Sequence, residues 1–151
     1  MLAKEIMTSD VIKVNPDNAV DEVIRLLVDN KISGIPVVDA NDAVVGIVTE
    51  ADLLVRSQKP HVPAFLQILG GIIYLEDPRE LKEELRKMSA IKVVDMMTKN
   101  PVTVDEDTMV DEIATIMYDK GINRVPVVKE GRLVGIISRA DIIKSLAGKG
   151  Q

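Results

Sequence analysis

The chain has 151 residues, of which 46% are hydrophobic and 28% are charged, and its formal net charge is −5. This composition is ordinary for a folded protein, and the length fits one domain or two small halves that share a core. The acidic balance argues against a nucleic-acid binder. The sequence has no cysteine and a single histidine, His61, which excludes thiolate chemistry and all but excludes a histidine-based metal site or catalytic triad. We therefore expect no metal site and no catalytic residues.

The first ten residues, MLAKEIMTSD, lack the apolar core of a signal peptide. The most apolar stretch, residues 62–75, is too short to span a bilayer as a helix and is interrupted by Pro63 and by Gly70-Gly71. We therefore expect a soluble, cytoplasmic protein that does not contact a membrane.

The first third of the chain predicts a strand, a helix, a hairpin and a second helix. The evidence is helical spacing of apolar residues in one stretch and β-branched runs separated by a turn in another. In chain order the predicted elements are a strand over residues 11–14, a helix with its N-cap at Asp17-Asn18 and its first-turn acids at Asp21-Glu22, strands over 35–38 and 44–48, and a helix from near Ala51.

Residues 58–90 are predicted to form an inserted apolar segment and a linker helix. The helix begins near Asp77-Pro78, where a proline in the first turn and neighbouring acids favour a helix start. The simple interpretation is a linker helix packed on the rest of the protein. The apolar run at 62–75 is longer than a linker needs, which favours a dimer contact or a flap over a ligand cleft as the alternative.

The same order of elements then occurs a second time. Residues 7–38 align without a gap on residues 97–128, and residues 46–52 align on residues 135–141. The one-residue change of register between these blocks falls in a predicted hairpin turn, where insertions are tolerated. We therefore predict a first repeat over 1–57, the inserted segment over 58–90 and a second repeat over 91–147. The predicted fold class is α/β (α+β), with two βαββα repeats packed with pseudo-twofold symmetry.

A strand-to-helix turn with the pattern G-h-h-[S/T]-x-x-D occurs in both copies, ending in Thr49 to Asp52 and in Ser138 to Asp141. The pattern is typical of a capping box, which is common and by itself purely structural. The same geometry suits a nucleotide, because the free N–H groups of a helix start and a cap hydroxyl can bind phosphate. A carboxylate one turn later can accept hydrogen bonds from both hydroxyls of a ribose. The two interpretations are compatible.

An h-P-V-V strand also occurs in both copies, with the prolines at Pro36 and Pro126. Proline lacks an N–H group and is confined to edges or first positions of strands. The simple interpretation is an edge strand that begins at proline. The functional alternative is that the free backbone groups opposite the proline bind the rim of an adenine.

Together the duplicated βαββα pattern, the h-P-V-V strand and the G-h-h-[S/T]-x-x-D turn resemble CBS-domain pairs, also called Bateman modules. The resemblance covers nearly all of both copies, although residues 58–90 are longer than the connection in many such pairs. It implies clefts between the copies that bind AMP, ADP or ATP as a regulatory ligand, with S-adenosylmethionine less favoured. It also implies that two pairs associate into a disc-like homodimer.

The resemblance further implies a role for each candidate site residue. Ribose would contact Asp52 and Asp141, and phosphate would contact Thr49 and Ser138. Adenine would lie near Ile12, Ile35 and Pro36 in one cleft, and near Val102, Val125 and Pro126 in the other.

The two copies differ in charge next to these residues. The second copy has Arg124 before its proline strand and Arg139 inside its turn, where the first copy has Gly34 and Glu50. A guanidinium binds phosphate bidentately, whereas a carboxylate repels it. We therefore predict that the cleft of the second copy binds nucleotide more tightly.

These observations predict a stand-alone regulatory module that passes a conformational signal to an effector protein of unknown identity. An enzyme is disfavoured, because the sequence has no nucleophile–base set, no P-loop lysine motif and no G-x-G-x-x-G. The main alternative is a structural or interaction dimer module with empty or vestigial ligand sites that uses the apolar segment at 62–75. A nucleic-acid binder is the least favoured hypothesis.

Overall fold

A computed structural model of the protein describes residues 1–56 and 91–148. The described residues form an α+β fold, which confirms the predicted class. Five α-helices lie within these residues: α1 (Ala3–Ile6), α2 (Val20–Asn30), α3 (Glu50–Arg56), α4 (Val110–Lys120) and α5 (Arg139–Gly148). Six strands accompany them: β1 (Gly34–Val38), β2 (Val44–Thr49), β3 (Thr98–Lys99), β4 (Val104–Asp105), β5 (Arg124–Lys129) and β6 (Arg132–Ser138). The predicted inserted segment and linker helix lie outside the described residues.

The strands form two three-stranded sheets, one in the order β1-β2-β3 and the other in the order β4-β5-β6. Strand β3 pairs antiparallel with β2, and β4 pairs parallel with β5. The predicted hairpins and the helices that follow them are confirmed in both copies. The predicted strand at residues 11–14 is wrong in extent: its described pairing is a single parallel bridge between Val14 and Val37.

Helices α2 and α4 each bury one apolar face. In α2 this face consists of Val20, Val23, Ile24 and Leu27, as the helical spacing predicted. The predicted N-cap at Asp17-Asn18 is wrong, because α2 has Ala19 at its N-cap position and that residue makes no side-chain cap hydrogen bond. The side chain of Asn18 instead accepts a hydrogen bond of 2.7 Å from the backbone N–H of Asn15 and so closes the preceding turn.

A backbone carbonyl from a distant part of the chain replaces the side-chain cap. The N–H of Val20, the first residue of α2, donates to the carbonyl of Ile91 over 2.9 Å. In the second copy the N–H of Val110, the first residue of α4, donates to the carbonyl of Met1, also over 2.9 Å. These bonds satisfy donors that a helix leaves without an intrahelical partner, so neither helix depends on a capping side chain at this N–H.

Two short stretches, which we call the lead segments, supply these carbonyls. The first lead segment is residues 1–9 and the second is residues 91–99. The first pairs with the second copy through bridges from Leu2 to Met109 and from Thr8 to Ile136. The second pairs with the first copy through a bridge from Lys92 to Ala19 and through strand β3. Each lead segment lies at the start of one copy in the sequence but hydrogen-bonds to the other copy in the structure.

The glycine of the repeated turn motif makes room for a methionine of the lead segment. A Cβ atom at Gly46 would lie 2.8 Å from Cγ of Met97 and 3.1 Å from the carbonyl oxygen of Thr98. At Gly135 it would lie 2.7 Å from Cγ of Met7 and 3.0 Å from its Cβ. Both distances to Cγ are too short for non-bonded carbon atoms, so only glycine fits without displacement at either position.

The compact units of the structure are therefore not identical to the sequence copies. We call one the Asp52 unit, which comprises residues 12–39, 45–56 and 91–99 of the described chain. The other, the Asp141 unit, comprises residues 1–11, 40–44 and 100–148. Each has its own hydrophobic core, and each core includes residues from a lead segment, with Val93 and Met96 in the first and Ala3 in the second.

Candidate functional site

The turn between β2 and α3 holds Thr49 and Asp52 in a closed pair of hydrogen bonds. The backbone N–H of Thr49 donates to Oδ2 of Asp52 over 2.8 Å, and the Thr49 hydroxyl lies 3.2 Å from the same oxygen. The N–H of Asp52 lies 3.4 Å from the Thr49 hydroxyl oxygen. This is the reciprocal arrangement of a capping box, with aspartate in place of glutamate.

The turn between β6 and α5 repeats this arrangement in the second copy. The N–H of Ser138 donates to Oδ2 of Asp141 over 2.8 Å, and the Ser138 hydroxyl lies 3.0 Å from that oxygen. The N–H of Asp141 lies 3.3 Å from the Ser138 hydroxyl oxygen. All four residues are partly exposed, so the residues that cap the two helices also present polar groups to solvent.

The two aspartates differ at their second carboxylate oxygen. Oδ1 of Asp52 accepts a hydrogen bond of 2.8 Å from the hydroxyl of Thr98, which lies in the second lead segment. Thr8 is the repeat equivalent of Thr98, but no residue within 1–56 or 91–148 donates a hydrogen bond to Oδ1 of Asp141. Within the described residues, the carboxylate of Asp52 thus accepts hydrogen bonds at both of its oxygens, whereas that of Asp141 accepts them at Oδ2 alone.

The proline strands are more deeply placed than the sequence indicated. Ile35 and Val125 are fully buried and belong to the two hydrophobic cores, and both prolines are buried as well. Ile12 and Val102 are partly buried and pack on the same cores as Ile35 and Val125, respectively. Each unit therefore brings together its own predicted adenine-contacting residues, while their apolar side chains also serve the core.

The prediction that the proline strand lies at a sheet edge is wrong for the second copy, because β5 is the middle strand of its sheet. Strand β4 pairs only with Val127 and Val128, so the register leaves Arg124 to Pro126 beyond its reach. In the first copy the carbonyl of Pro36 accepts a hydrogen bond of 3.1 Å from the N–H of Val14. The parallel partner of the proline strand is a two-residue strand in the second copy and a single bridge at Val14 in the first, so the missing N–H of proline interrupts no parallel ladder in either copy.

Arg139 lies at the start of α5 and is exposed. Its guanidinium donates to the side-chain oxygen of Asn123, and its backbone N–H donates to the Asn123 carbonyl over 2.8 Å. It also lines a groove between α4 and α5, together with Tyr118 and Ile143 among others. The arginine is therefore held beside the turn, with four further guanidinium donors available in principle.

Sequence reasoning did not identify Thr98, Met97 or their equivalents Thr8 and Met7 as functional. The available signal was the Met-Thr pair that begins both aligned blocks. Its role could not be inferred, because the contacts of each pair are with the opposite copy.

Two classes of feature are absent from the described residues. No helix within 1–56 and 91–148 is long and apolar enough to cross a membrane. The same residues contain no cluster of three or more histidine, cysteine, aspartate or glutamate side chains suited to a metal ion.

Comparison with known proteins identifies the class to which this fold and these paired turns belong. The CBS domain family matches at residues 3–59 and again at residues 93–148. The chain belongs to the CBS-domain family and carries two CBS domains in tandem, which confirms the resemblance inferred from the repeated motifs.

Individual relatives extend over nearly the whole chain. The protein MJ1426 of Methanocaldococcus jannaschii is 34% identical over 97% of this chain and 91% of its own length. The solved structure of CBSX2, a CBS-pair protein of Arabidopsis thaliana, in complex with AMP has a TM-score of 0.75 and 27% identity, and the match covers 99% of this chain and 98% of that one. The CBS domain pair of MJ0100, solved in complex with 5-methylthioadenosine and S-adenosyl-L-methionine, has a TM-score of 0.70 and 27% identity, with 99% and 98% covered.

Proposed function

We propose that this protein is a regulatory module that binds an adenine nucleotide through its two CBS domains and passes a conformational signal to an effector protein. The observation that carries the proposal is the paired hydroxyl–carboxylate turn, present with the same geometry in both copies. Ligands with adenosine moieties in two similar CBS-pair structures, CBSX2 and MJ0100, support the ligand class.

In this proposal the two turns bind the ribose and the phosphate. Asp52 and Asp141 accept hydrogen bonds from ribose hydroxyls, while Thr49 and Ser138 turn their hydroxyls away from the aspartates and donate to phosphate oxygens. Each carboxylate is already held by its own turn, so little conformational entropy is lost in ordering it when the ligand binds. The partial exposure of both aspartates leaves part of each carboxylate accessible.

Adenine is proposed to bind near the proline strands. The contacting residues would be Ile12, Ile35 and Pro36 in one site and Val102, Val125 and Pro126 in the other. Of these residues Ile12 and Val102 are partly exposed, and both pack on a hydrophobic core, which makes the surface that they offer rigid.

The arginines of the second copy are proposed to strengthen phosphate binding there. Arg139 begins at the same turn as Ser138, and Arg124 lies two strand residues before Pro126. A phosphate would share the Arg139 guanidinium with Asn123 or take its place. At the equivalent place in the first copy, the N–H of Glu50 donates to the carbonyl of Ser33 over 3.0 Å, so the backbone is alike and the charge is reversed.

AMP, ADP and ATP are the ligands that we favour, with S-adenosylmethionine as the alternative of the same chemical class. The proposed role is regulatory, because the hydroxyls and carboxylates that would contact the nucleotide already hydrogen-bond to one another as helix caps. The cytoplasmic location inferred from the sequence remains a prediction.

A homodimer is part of the proposal and has its own supporting observation. Tyr118 on α4 and Ile143 and Leu146 on α5 are 87%, 59% and 56% exposed, although all three are large and apolar. Exposed apolar side chains next to a groove are typical of an interaction surface. The same observation favours the second candidate function, an interaction module with vestigial ligand sites, whose other suggested surface at 62–75 lies outside the described residues.

Thermal unfolding with a ligand panel tests the proposed function. AMP, ADP, ATP, GTP and S-adenosylmethionine would each be added in excess to the full chain. A ligand that binds only the folded state at one hundred times its dissociation constant stabilises it by about 2.7 kcal/mol, which raises the midpoint by roughly 5–10 °C for a chain of this size. A rise with adenine ligands and not with GTP supports the proposal. No rise with any of them at millimolar concentration favours the interaction module.

A further inference from the structure

The hydroxyl of Thr98 distinguishes two carboxylates that are otherwise equivalent. Asp52 accepts hydrogen bonds at both of its oxygens, from Thr49 at Oδ2 and from Thr98 at Oδ1. Asp141 accepts at Oδ2 from Ser138, and no residue in the described part of the chain donates to its Oδ1.

The difference arises from a side chain and not from the backbone. Thr98 pairs with Ile47 in the strand register, and the equivalent Thr8 pairs with Ile136. Both N–H and carbonyl groups of Thr8 form 2.9 and 3.0 Å hydrogen bonds with Ile136, so the first lead segment is seated as the second one is. Yet of these two threonines only Thr98 donates its hydroxyl to an aspartate within the described residues.

An oxygen that already accepts one hydrogen bond is a weaker acceptor for a second donor. A ribose hydroxyl that approaches Oδ1 of Asp52 has either to displace the Thr98 hydroxyl or to share the oxygen with it. Displacement would leave the threonine hydroxyl without its charged partner, and hydrogen bonds to charged groups are among the stronger ones in proteins. Oδ1 of Asp141 is subject to no such competition from a described residue.

We propose that Thr98 sets the order in which the two carboxylates take nucleotide, with Asp141 first and Asp52 second. This inference rests on the proposed function and adds an affinity-determining residue that lies outside the repeated turn motif. It points in the same direction as the charge difference at Arg139 and Glu50, but it acts only on the Asp52 carboxylate, so a substitution at Thr98 separates the two causes.

Calorimetric titration of the full chain with AMP tests the inference. In the wild-type protein we expect a tight binding event and a weaker one, and Asp141→Asn should remove the tight one. Adding Thr98→Val to Asp141→Asn should then strengthen the remaining event by about tenfold, the ratio that corresponds to roughly 1.4 kcal/mol. Thr98→Ser in the same background retains a hydroxyl and should leave that event unchanged.

Thr8→Val is the matched control, because it removes the equivalent hydroxyl in the first lead segment without touching either aspartate. It should leave both AMP affinities at their wild-type values. Melting temperatures of all variants would be measured first, and Thr98→Ala would replace Thr98→Val if the valine variant did not fold.

Three results would overturn the inference. An unchanged or weakened AMP event on Thr98→Val in the Asp141→Asn background would exclude competition by the hydroxyl. Loss of the tight event in Asp52→Asn instead of Asp141→Asn would reverse the order. No binding of AMP by the wild-type chain would remove the inference together with the proposed AMP ligand, and this outcome is recognised before any variant is made.

Discussion

The turn at Asp52 and the turn at Asp141 have the same backbone hydrogen bonds but different neighbours. In each, an aspartate accepts from the N–H and hydroxyl of a residue three positions earlier, with nearly the same distances. The turn at Asp52 has Thr98 and Glu50 as its neighbours, whereas the turn at Asp141 has Arg139 and Asn123. A duplicated fold can therefore keep one local geometry and still offer two electrostatically different sites, because the side chains that set affinity lie outside the motif that sets the turn.

The largest effect on this comparison is expected from Gly46→Ala and Gly135→Ala. A methyl group at either position meets a methionine of a lead segment, and overpacking of this kind costs about 1–3 kcal/mol. The two substitutions should destabilise by similar amounts, because each new Cβ also meets a less mobile atom, the Thr98 carbonyl oxygen at 3.1 Å from position 46 and Cβ of Met7 at 3.0 Å from position 135. Chemical denaturation gives the free energy of unfolding of both variants.

Gly148→Ala serves as the control, since a Cβ at that helical position meets nothing within 4 Å. The double variant Gly46→Ala with Met97→Ala should lose less stability than the sum of the single variants. Additive losses would mean that Met97 is not what the new methyl group meets.

The next largest effect concerns the two capping boxes. Thr49→Ala and Ser138→Ala should each destabilise by about 1 kcal/mol, because both remove the hydroxyl of a helix cap. Asp52→Ala should then cost about 1 kcal/mol more than Asp141→Ala, since it also leaves the Thr98 hydroxyl without its partner. Equal losses from the two aspartate variants, measured by denaturant titration, would contradict the inequality of the carboxylates.

A smaller difference is expected at the ends of α2 and α4. Lys31 and Gly121 are repeat equivalents, and both end their helices in the left-handed region, with φ of 53° and 62°. A side chain in this conformation costs about 1–2 kcal/mol, partly offset by the lower entropy of a non-glycine residue in the unfolded chain. Lys31→Gly should stabilise the protein by about 0.5 kcal/mol and Gly121→Lys should destabilise it. A midpoint change of the same sign for both would show that this backbone conformation does not decide their stability.

The smallest effect concerns the ion pairs of the lead segments. Nζ of Lys4 lies 2.9 Å from Oδ1 of Asp107, while Nζ of Lys92, which occupies a different position of the repeat, lies 3.7 Å from Oδ1 of Asp17, the repeat equivalent of Asp107. The hydrogen bond and the charge of Asp107 raise the pKa of Lys4 above its ordinary value of 10.5. A raised pKa in the folded state stabilises the protein below that ordinary value, and the stabilisation is lost as pH rises through the folded-state pKa.

Lys4→Met should therefore lower the unfolding midpoint slightly at pH 7, and the difference from wild type should shrink as pH rises through the raised pKa of Lys4. Lys92→Met, with its longer pair, should change the midpoint less. A pH-independent difference at Lys4 would indicate that packing of its aliphatic stem is responsible and not its charge.

Local patterns in the sequence were sufficient for helices α2 to α5, the hairpins and the capping boxes, whereas the short helix α1 was not predicted. Val20 to Leu27 occupy one face at helical spacing, and Thr49 and Asp52 are three residues apart, so both features depend on neighbours along the chain. The N-cap of α2 was predicted wrongly because the donor that it leaves open is satisfied by Ile91, from beyond the whole first copy. The Thr98–Asp52 bond joins residues 46 positions apart, and no periodicity encodes such a pairing.

Because the two copies exchange their lead segments, a single copy is not a complete folding unit. Two identical chains that traded their first residues would show the same reciprocal pattern, which is that of a domain-swapped dimer. Here the traded pieces belong to one polypeptide, with Ala3 buried in the core of the Asp141 unit and Val93 in that of the Asp52 unit. A single copy cut from the chain would carry an end that fits another copy and lack the end that completes its own core. The smallest autonomous folding entity is therefore a pair of copies, whether fused or assembled from separate chains.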